Sequence, residues 1–342
     1  MTRPTVHDIA RNAGVSLATV DRVLNNRPGV RAKTIDQVNQ AIEQIGYVRD
    51  VAAANLARQR NYDFICVLPN TKSEFLGNVQ EAIAEYALNA KADRTRISTR
   101  TFPLDNTNAL VEILSEIEAK RPDGVAIMAP ETPSVRDAVR RLIAAGIVVA
   151  AFVSDLPSTG RSHFVGINNI GAGATAATLL ARFLGSEPAT ILVVAGSMIS
   201  TDHAERRSGF DAKMVSAYPQ HTVLPTLETF DDADLVFRRV SEALNNNPNI
   251  AGIYSIGAGN QGLVKCLTQN ERARNITVIA HELTQCSRKA LIDGVFDAVI
   301  AQNVGHIVRS ALRILKAQTD SLATIESQER IRTEIFIAEN LP

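Results

Sequence analysis

Residues 5–24, TVHDIARNAGVSLATVDRVL, predict two short helices joined by a tight turn. Apolar side chains recur at helical spacing in the first half, and Thr5 and Asp8 have the spacing of a capping box at its start. Gly14 allows the left-handed backbone that a sharp turn requires. Ser16 is suited to cap the second helix. The stretch therefore has the organisation of a helix-turn-helix.

A third helix is expected immediately downstream. Apolar residues follow helical spacing over about residues 32–45, and Gly46 comes next as a stop signal. We therefore predict an all-α headpiece over residues 1–48. Residues 49–60, RDVAAANLARQR, form an alanine-rich hinge between arginines, too short to be a stable helix alone. We expect this hinge to become helical only against a partner.

From Asp63 onward, apolar strands alternate with helical segments, which is typical of parallel βαβ units. The predicted strands are 64–68, 97–102, 124–128, 147–153, 164–167, 190–194, 250–256, 276–280 and 298–301. So many strands suit two doubly wound parallel sheets better than one sheet. The predicted fold is thus an all-α helix-turn-helix headpiece followed by a two-lobed α/β domain. We place that domain at 61–342, with an N-lobe at about 61–160 plus about 290–320, a C-lobe at about 161–289, and a tail to 342.

Charge and composition narrow the class of protein. The first sixty residues carry nine Lys and Arg against five Asp and Glu, although the whole chain has zero formal net charge. This imbalance suggests that the N-terminal module alone meets a polyanion. The cysteines, Cys66, Cys266 and Cys286, show no metal or disulfide spacing. Without an apolar leader or an 18-residue apolar run, we expect a cytoplasmic protein that does not bind membranes.

The residue types of the N-terminal segment indicate a protein family more specifically than the spacing of its helices does. It closely resembles the headpiece of the LacI family in Asp8-Ile9-Ala10, Ala13-Gly14-Val15-Ser16, Thr19-Val20 and Arg22-Val23-Leu24-Asn25. Asn55-Leu56-Ala57 resembles the family's hinge helix, and the downstream domain looks like periplasmic sugar-binding proteins. The resemblance covers essentially the whole chain. It implies a ligand-responsive transcription regulator, with repression as the usual mode, that binds a palindromic double-stranded DNA operator as a homodimer.

The resemblance also implies which side chains read DNA. The family places the second helix in the major groove, where Leu17, Ala18 and Arg22 face base edges. Arg22 can donate to O6 and N7 of guanine, whereas Leu17 and Ala18 would meet thymine methyl groups or exclude water. Asp21 stands where the family usually has serine. Its carboxylate is expected to pair with an arginine or to accept from a cytosine amino group.

Further DNA contacts are implied outside the base-reading positions. The residues suited to phosphate contacts are Thr5, Ser16, Thr19 and Asn25. In the hinge, the DNA-binding positions are Asn55 and Leu56, and Leu56 would wedge into the minor groove at the operator centre. Two such leucines, one from each subunit of a dimer, would bend the operator.

The predicted effector site lies at the carboxyl ends of the strands, where open α/β sheets bind ligands. Arg206 and Gln302 match ligand positions of the family, and Glu282 stands where an aspartate commonly binds sugar hydroxyls. The full set of candidates is Phe75, Asp155, Arg206, Asn260, Glu282 and Gln302. Asp155 and Asn260 depart from the family pattern, which suggests a ligand other than a common hexose. We expect a sugar, a sugar acid or a polyol, and the sequence leaves open whether it releases or promotes DNA binding.

One motif supports a different function. Gly257-Ala-Gly259-Asn-Gln-Gly262 is a literal G-x-G-x-x-G after a predicted strand, and Glu282 follows twenty residues later. Such a loop can bind a pyrophosphate while the carboxylate binds the ribose. An NAD-linked oxidoreductase or an NAD-sensing regulator is therefore the alternative. The histidines show no metal-binding spacing and no G-x-S-x-G occurs, so our first expectation is a non-enzyme without catalytic residues, metal or cofactor.

Overall fold

The computed structural model describes residues 4–24, 27–47, 60–270 and 275–342. The chain divides by internal packing into two compact units, Met1–Arg60 and Asn61–Pro342. In the described part of the first unit, the helices are α1 Val6–Ala13, α2 Leu17–Leu24 and α3 Ala32–Ile45. All three helices that the sequence predicts are therefore confirmed, with bounds close to those expected.

Local interactions set the ends of these helices. At the start of α1, the backbone N–H and the hydroxyl of Thr5 donate to Oδ2 of Asp8, at 2.9 and 2.8 Å. These two hydrogen bonds hold the pKa of Asp8 below its usual value. Gly14 ends α1 and Gly46 ends α3, each with a left-handed φ near 60°, at 64° and 62°. The helices meet in a small core of Ile9, Val20, Val23, Val38 and Ala41.

The described residues of the second unit form two sheets. The first sheet consists of β1 Tyr62–Asn70, β2 Thr95–Pro103, β3 Gly124–Ile127, β4 Val148–Phe152 and β5 His163–Val165. Its strands are all parallel, in the order β2-β1-β3-β4-β5. The helices between these strands are α4 Glu74–Ala90, α5 Thr107–Lys120 and α6 Pro133–Ala144. We call this sheet and the helices packed on it the first lobe.

The second sheet defines the second lobe. Its strands are β6 Thr190–Ala195, β7 Thr222–Glu228, β8 Ile250–Ser255, β9 Thr277–His281, β10 Ala298–Gln302 and β11 Thr333–Phe336, in the order β11-β10-β9-β8-β6-β7. Every pair is parallel except β10 with β11, which is antiparallel. The remaining helices are α7 Asn169–Leu184, α8 Thr201–Ala217, α9 Ala233–Asn246, α10 Asn260–Gln269, α11 Gln285–Ile292, α12 Val304–Thr319 and α13 Glu326–Glu329. In the described residues, no helix is long and apolar enough to span a membrane.

Two lobe boundaries differ from the prediction. β10, which we assigned to the N-lobe with residues 290–320, pairs with β9 in the second sheet. Only α12 of that segment belongs to the first lobe, where Leu315 packs against Gly124 of β3. β5, which we placed in the C-lobe, pairs with β4 in the first sheet. Both errors have one cause: the residues of a strand do not show which of two sheets it joins, because its pairing partners lie elsewhere in the chain.

Two glycines determine how closely α7 and α8 pack. A Cβ on Gly173 would lie 1.9 Å from the carbonyl oxygen of Arg206. A Cβ on Gly209 would lie 2.0 Å from the carbonyl oxygen of Ile170. Since real Cβ atoms never approach backbone so closely, both positions require glycine at this spacing. The contact brings α8, and with it Arg206, against the start of α7.

We predict that Gly173→Ala destabilises the second unit, because the added methyl group must push the two helices apart. Overpacking of this kind costs about 1–3 kcal/mol. Gly77 is the matched control, since it is also helical and a Cβ there meets nothing within 4 Å. Gly77→Ala should instead raise stability by about 0.5–1 kcal/mol. Urea unfolding followed by circular dichroism measures both changes, and equal effects would contradict the proposed close contact.

Candidate functional site

A cavity lies between the two lobes at the carboxyl ends of their strands. It contains about 560 Å³ of space not filled by protein atoms, part of it open to solvent. Its first-lobe wall includes Pro69, Ser73, Phe75, Leu76, Met128 and Ser154. Its second-lobe wall includes Asp202, His203, Arg206, Asp231, Ile256 and Glu282.

Arg206 is the centre of the second-lobe wall, although only 1% of the residue is exposed. Its Nε donates to Oδ1 of Asn169 at 2.9 Å, and Nη1 donates to the carbonyl oxygen of Ile256 at 3.1 Å. Nη2 donates to Oε1 of Glu282 at 3.1 Å. The guanidinium therefore joins the start of α7, the loop after β8 and the loop after β9.

The low polarity of this region shifts several pKa values. Burial raises the pKa of the Glu282 carboxyl, and the opposing effects of Arg206 and Gln302 do not cancel that rise. For Arg206, burial acts to lower the pKa, but the charges of Glu282 and Asp202 carry it above its usual value. Burial, with the nearby charges of Arg206 and His203, depresses the pKa of His281 well below its usual value. His281 is thus a neutral side chain, hydrogen-bonded to the hydroxyl of Tyr254 at 2.9 Å.

Of the six predicted effector residues, Phe75, Arg206 and Glu282 line the cavity. Gln302 lies behind them and donates from Nε2 to Oε1 of Glu282 at 2.9 Å. Asn260 is also a supporting residue, since its amide donates to the carbonyl oxygen of His281 at 2.9 Å. The structure thus places Phe75, Arg206 and Glu282 on the cavity wall, while Gln302 and Asn260 are buried residues that hydrogen-bond to Glu282 and to the backbone of His281.

Asp155 is placed differently from the prediction. Its carboxylate accepts from both Nε and Nη2 of Arg161, and Oδ2 lies 2.6 Å from Nη2. Asp155 also accepts from the backbone N–H of Leu156. It is not among the residues that line the cavity, whereas its neighbour Ser154 is. Its carboxylate serves to fix the loop after β4.

Sequence reasoning missed three ionisable cavity residues, Asp202, His203 and Asp231. Asp202 and His203 lie in the first turn of α8 and are 4% and 8% exposed. Asp231 follows β7, and its Oδ1 accepts from the backbone N–H of Ala258 at 2.8 Å. The signal for each was its position after a strand of the second sheet. For Asp231 the preceding strand, β7, was not predicted, because Pro225 lies within it and a proline argues against a strand except at the edge of a sheet.

Three loops at this end of the sheets contain non-glycine residues with left-handed backbone. They are Val153 after β4, with φ of 63°, Phe230 and Asp231 after β7, with φ of 51° and 56°, and Glu282 after β9, with φ of 69°. Such conformations cost free energy and persist where surrounding contacts enforce them. Here they direct Ser154, Asp231 and Glu282 to the wall of the cavity.

The glycine loop of the alternative prediction is explained by packing. A Cβ on Gly257 would lie 2.5 Å from Oδ1 of Asp231, and one on Gly262 would lie 1.8 Å from the carbonyl oxygen of Ala233. The carboxylate of Asp231 thus occupies the loop and already accepts from Ala258. A pyrophosphate would have to displace this carboxylate. Glu282, the expected ribose ligand, is instead bound to Arg206 and Gln302.

Glu74 connects the two lobes at the edge of the cavity. From the first turn of α4, its Oε1 accepts from the side-chain amide of Gln261 at 2.8 Å, and its Oε2 accepts from the backbone N–H of Cys286 at 3.0 Å. Burial acts to raise its pKa, but hydrogen bonds from Thr284, Cys286 and Gln261 lower it below the usual value. Glu74 is therefore an ionised clasp between α4 and the helices α10 and α11.

In the first unit, the predicted base-reading residues Leu17, Ala18 and Arg22 are all exposed on α2. Ser16 caps this helix by accepting from the backbone N–H of Thr19 at 3.2 Å. Thr5 and Ser16 are exposed and Thr19 is half-buried. Asp21 pairs with Arg27 at 3.3 Å, which is one of the two roles expected for it. Asn25, Asn55 and Leu56 lie outside the described residues, so their DNA contacts remain predictions.

Comparison with curated proteins gives regulators as relatives. The chain is 27% identical over 216 residues to the HTH-type transcriptional regulator DegA of Bacillus subtilis, which covers 63% of this chain and 62% of DegA. It is 28% identical over 124 residues to catabolite control protein A of Priestia megaterium, which covers 36% of each chain. The matches thus span less than two thirds of the length of either relative.

Comparison with solved structures gives sugar-binding proteins. An ABC transporter solute binding protein from Burkholderia graminis, in complex with D-arabinose, matches with a TM-score of 0.73 and 23% identity, over 82% of this chain and 96% of that chain. GanP, a glucose-galactose binding protein from Geobacillus stearothermophilus, matches with a TM-score of 0.74 and 17% identity, over 83% and 99%. At these identities the likeness establishes the fold.

The fold and the site define a two-lobed small-molecule-binding domain that follows a helix-turn-helix in the same chain. Residues 64–322 match the family model of the periplasmic binding protein domain, and residues 5–50 match that of bacterial regulatory proteins, lacI family. The larger part of the chain therefore belongs to the periplasmic binding protein domain family, and residues 5–50 carry a DNA-binding domain of the bacterial regulatory proteins, lacI family. This confirms the resemblance and the fold class inferred from the sequence.

We predict that Arg206 and Glu282 are strongly coupled in stability. Either single change, Arg206→Met or Glu282→Met, leaves one buried charge without its partner and should cost about 3–5 kcal/mol. The double variant should lose less than the sum of the two, with a coupling free energy of at least about 1 kcal/mol. The half-exposed pair Arg207–Asp211 on α8 is the control, with expected coupling below about 0.5 kcal/mol. Additive losses at Arg206 and Glu282 in urea unfolding would refute their role as a buried pair.

Proposed function

We propose that this protein is a ligand-responsive transcription regulator, most simply a repressor, that acts in the cytosol. In this proposal the headpiece binds a palindromic operator as a homodimer, and a small polyhydroxylated effector in the interlobe cavity changes the affinity for DNA. The observation that carries the proposal is the presence, in one chain, of a lacI-family headpiece and a periplasmic binding protein domain whose interlobe cavity has one apolar and one polar wall. The names of the relatives DegA and catabolite control protein A support it.

The proposed DNA contacts follow from the exposed face of α2. Arg22 offers a planar guanidinium that can donate to both acceptors on the major-groove edge of guanine. Leu17 and Ala18 add an apolar surface for thymine methyl groups. Ser16, at the helix N-terminus, suits a phosphate. Asp21 does not oppose this role, because its carboxylate pairs with Arg27.

The proposed response to the effector is closure of the cleft around it. Both lobes supply walls of the cavity, so a ligand that contacts both walls binds the closed form more tightly than an open one. The clasp formed by Glu74 with Gln261 and Cys286 exists only when the lobes approach each other. The proposed effector and Glu74 therefore stabilise the same closed arrangement.

The polar wall supports a hydrogen-bonding effector. Oγ of Ser154 and Oδ1 of Asp202 are buried and have no hydrogen-bond partner among the described residues. Buried polar atoms without partners are costly, and a ligand with hydroxyl groups would satisfy them. The alternative, an NAD-linked function, has less support because Asp231 fills the glycine loop.

We predict that Arg22→Ala reduces the preference of the full-length protein for its operator over random duplex DNA by about tenfold or more. The reason is that a base contact carries specificity, whereas a phosphate contact changes affinity for all sequences alike. Lys33→Ala, on the exposed side of α3, is the control and should leave the preference unchanged. The measurement is fluorescence anisotropy with an operator selected from random duplexes. If Arg22→Ala kept the full preference, Arg22 would not read bases.

We predict that Glu74→Ala weakens effector binding by about tenfold, because the closed cleft then loses the acceptor for Gln261 and Cys286. Operator binding without effector should be retained, while more effector is needed for the response. Glu81→Ala is the matched control, since Glu81 is an exposed glutamate on the same helix. Isothermal titration with the effector gives the affinity, and equal affinity in both variants would exclude Glu74 from closure.

A further inference from the structure

The two walls of the cavity differ in charge. Among the described residues, the ionisable groups that line it all belong to the second lobe: Asp202, His203, Arg206, Asp231 and Glu282. None of the described first-lobe residues that line it is ionisable. The second-lobe wall therefore presents three carboxyl groups and one guanidinium, together with one imidazole. A ligand meets a wall in which acidic groups outnumber basic ones.

The guanidinium of Arg206 already donates hydrogen bonds to acceptors of the protein. Three of the five N–H groups of Arg206 donate to Asn169, Ile256 and Glu282. Its charge is balanced by Glu282, with which it forms a buried ion pair at 3.1 Å. Arg206 is thus poorly suited to be the anchor of an anionic ligand, because that ligand would have to compete with Glu282 for the same cation.

Two carboxylates remain after this pairing, those of Asp202 and Asp231. Asp202 is 4% exposed, and its Oδ1 has no hydrogen-bond partner among the described residues. Its Oδ2 lies 3.7 Å from Nε2 of His203, beyond hydrogen-bond distance. A buried carboxylate oxygen in this state requires a donor, and the cavity is where a donor can be supplied.

Asp231 also lies close to the ring of His203. A Cβ placed on Gly196 would be 2.5 Å from Oδ1 of Asp231 and 2.7 Å from Cε1 of His203, so these two side chains are neighbours. The backbone N–H of Ser197 donates to Nδ1 of His203 at 3.1 Å. The same Nδ1 also lies 3.2 Å from the carbonyl oxygen of Ser197, to which it donates in the other tautomer, so the loop after β6 holds the ring next to the two carboxylates.

The first-lobe wall supplies complementary chemistry. The apolar surface across the cavity from the carboxylates consists of Phe75, Leu76, Leu104 and Met128. Beside it lies the hydroxyl of Ser154, which has no hydrogen-bond partner within the described ranges. An aromatic and apolar surface suits the C–H face of a polyhydroxylated compound. The cavity thus combines an apolar wall with an acidic wall.

We propose that the effector is a polyhydroxylated compound that carries a protonated amine, an amino sugar or an aminopolyol. Its ammonium group donates to Asp202 and Asp231, its hydroxyl groups reach Ser154 and Glu282, and its C–H face packs against Phe75 and Met128. This inference rests on the proposed function and narrows its ligand class, because sugar acids and sugar phosphates are repelled by the same carboxylates. Charge-assisted hydrogen bonds to two carboxylates are the source of the selectivity.

The test is a thermal-shift panel on the full-length protein, in which each carbon skeleton is offered with different charge. The amines are glucosamine, galactosamine, mannosamine and glucamine. Their neutral counterparts are glucose, galactose, mannose and sorbitol. N-acetylglucosamine is a further neutral probe, because acetylation converts the amine to an uncharged amide. The acids are gluconate, galactonate and mannonate. A ligand that binds the folded state raises the melting temperature. We expect the largest shift from an amine, with at least about tenfold tighter binding than its neutral counterpart in titration calorimetry.

Three variants assign the selectivity to the two carboxylates. Asp202→Asn and Asp231→Asn should each weaken binding of the amine by about tenfold and leave binding of its neutral counterpart nearly unchanged. Asp231→Asn is the safer of the two for folding, since Asn tolerates the φ of 56° at this position. Asp232→Asn is the matched control: it removes the same charge next to Asp231, but Asp232 caps α9 by accepting from Leu235 at 2.8 Å, a role that Asn fills equally well.

Each outcome of the panel has a defined meaning. Selectivity for an amine that is lost in Asp202→Asn or Asp231→Asn, and kept in Asp232→Asn, supports the proposal. A stronger shift with a neutral or acidic counterpart, or no shift with any amine, overturns it while the regulator function stands, because operator binding is measured separately. A shift with NAD⁺ alone, included as a further probe, overturns both the amine proposal and the polyhydroxylated effector.

Discussion

The buried guanidinium of Arg206 is the constraint on which the second-lobe wall depends. Removing a cation from water is costly, and the cost is offset only if acceptors surround it. Asn169, Ile256 and Glu282 provide these acceptors from three separate loops. Each loop must therefore keep its place for the ion to stay satisfied. Gln302, at the end of β10, does not contact Arg206 but donates to Glu282, so β10 is linked to the same hydrogen-bonded network.

Glycine at close helix contacts makes this burial geometrically feasible. Arg206 lies on α8, and its own carbonyl oxygen touches the position where Gly173 of α7 lacks a Cβ. The same principle explains the loop at 257–262. Gly257 and Gly262 admit Asp231 and the backbone of Ala233, so a nucleotide-binding pattern arises from internal packing. A short glycine motif indicates that other atoms lie too close for a side chain. Only the surrounding structure shows whether those atoms belong to a ligand or to the protein itself.

The sequence predicted structure best where the residues that determine an element lie within the element or next to it. The three headpiece helices were predicted with nearly their observed bounds, because Thr5, Gly14 and Gly46 act on their own turn of the chain. Sheet membership was not local: β5 and β10 were assigned to the wrong lobes, since pairing partners lie outside the segment itself. The site shows the same division. Arg206 and Glu282 were found, whereas Asp231 required knowledge of β7, and Asp155 required knowledge of its partner Arg161.

The cavity also suggests how a ligand of modest size could control a large domain. A closed cleft without ligand carries opposing contributions. Glu74 gains hydrogen bonds from the other lobe, while Asp202 and Ser154 bury polar atoms that have no hydrogen-bond partner in the part of the chain that the structure describes. A ligand shifts an equilibrium only by the difference between its affinities for the two states. If the opposing contributions are of similar size, the open and closed states differ by little free energy. Satisfying two buried acceptors is then enough to change which state predominates, and this would make the polar wall the element that links ligand identity to closure.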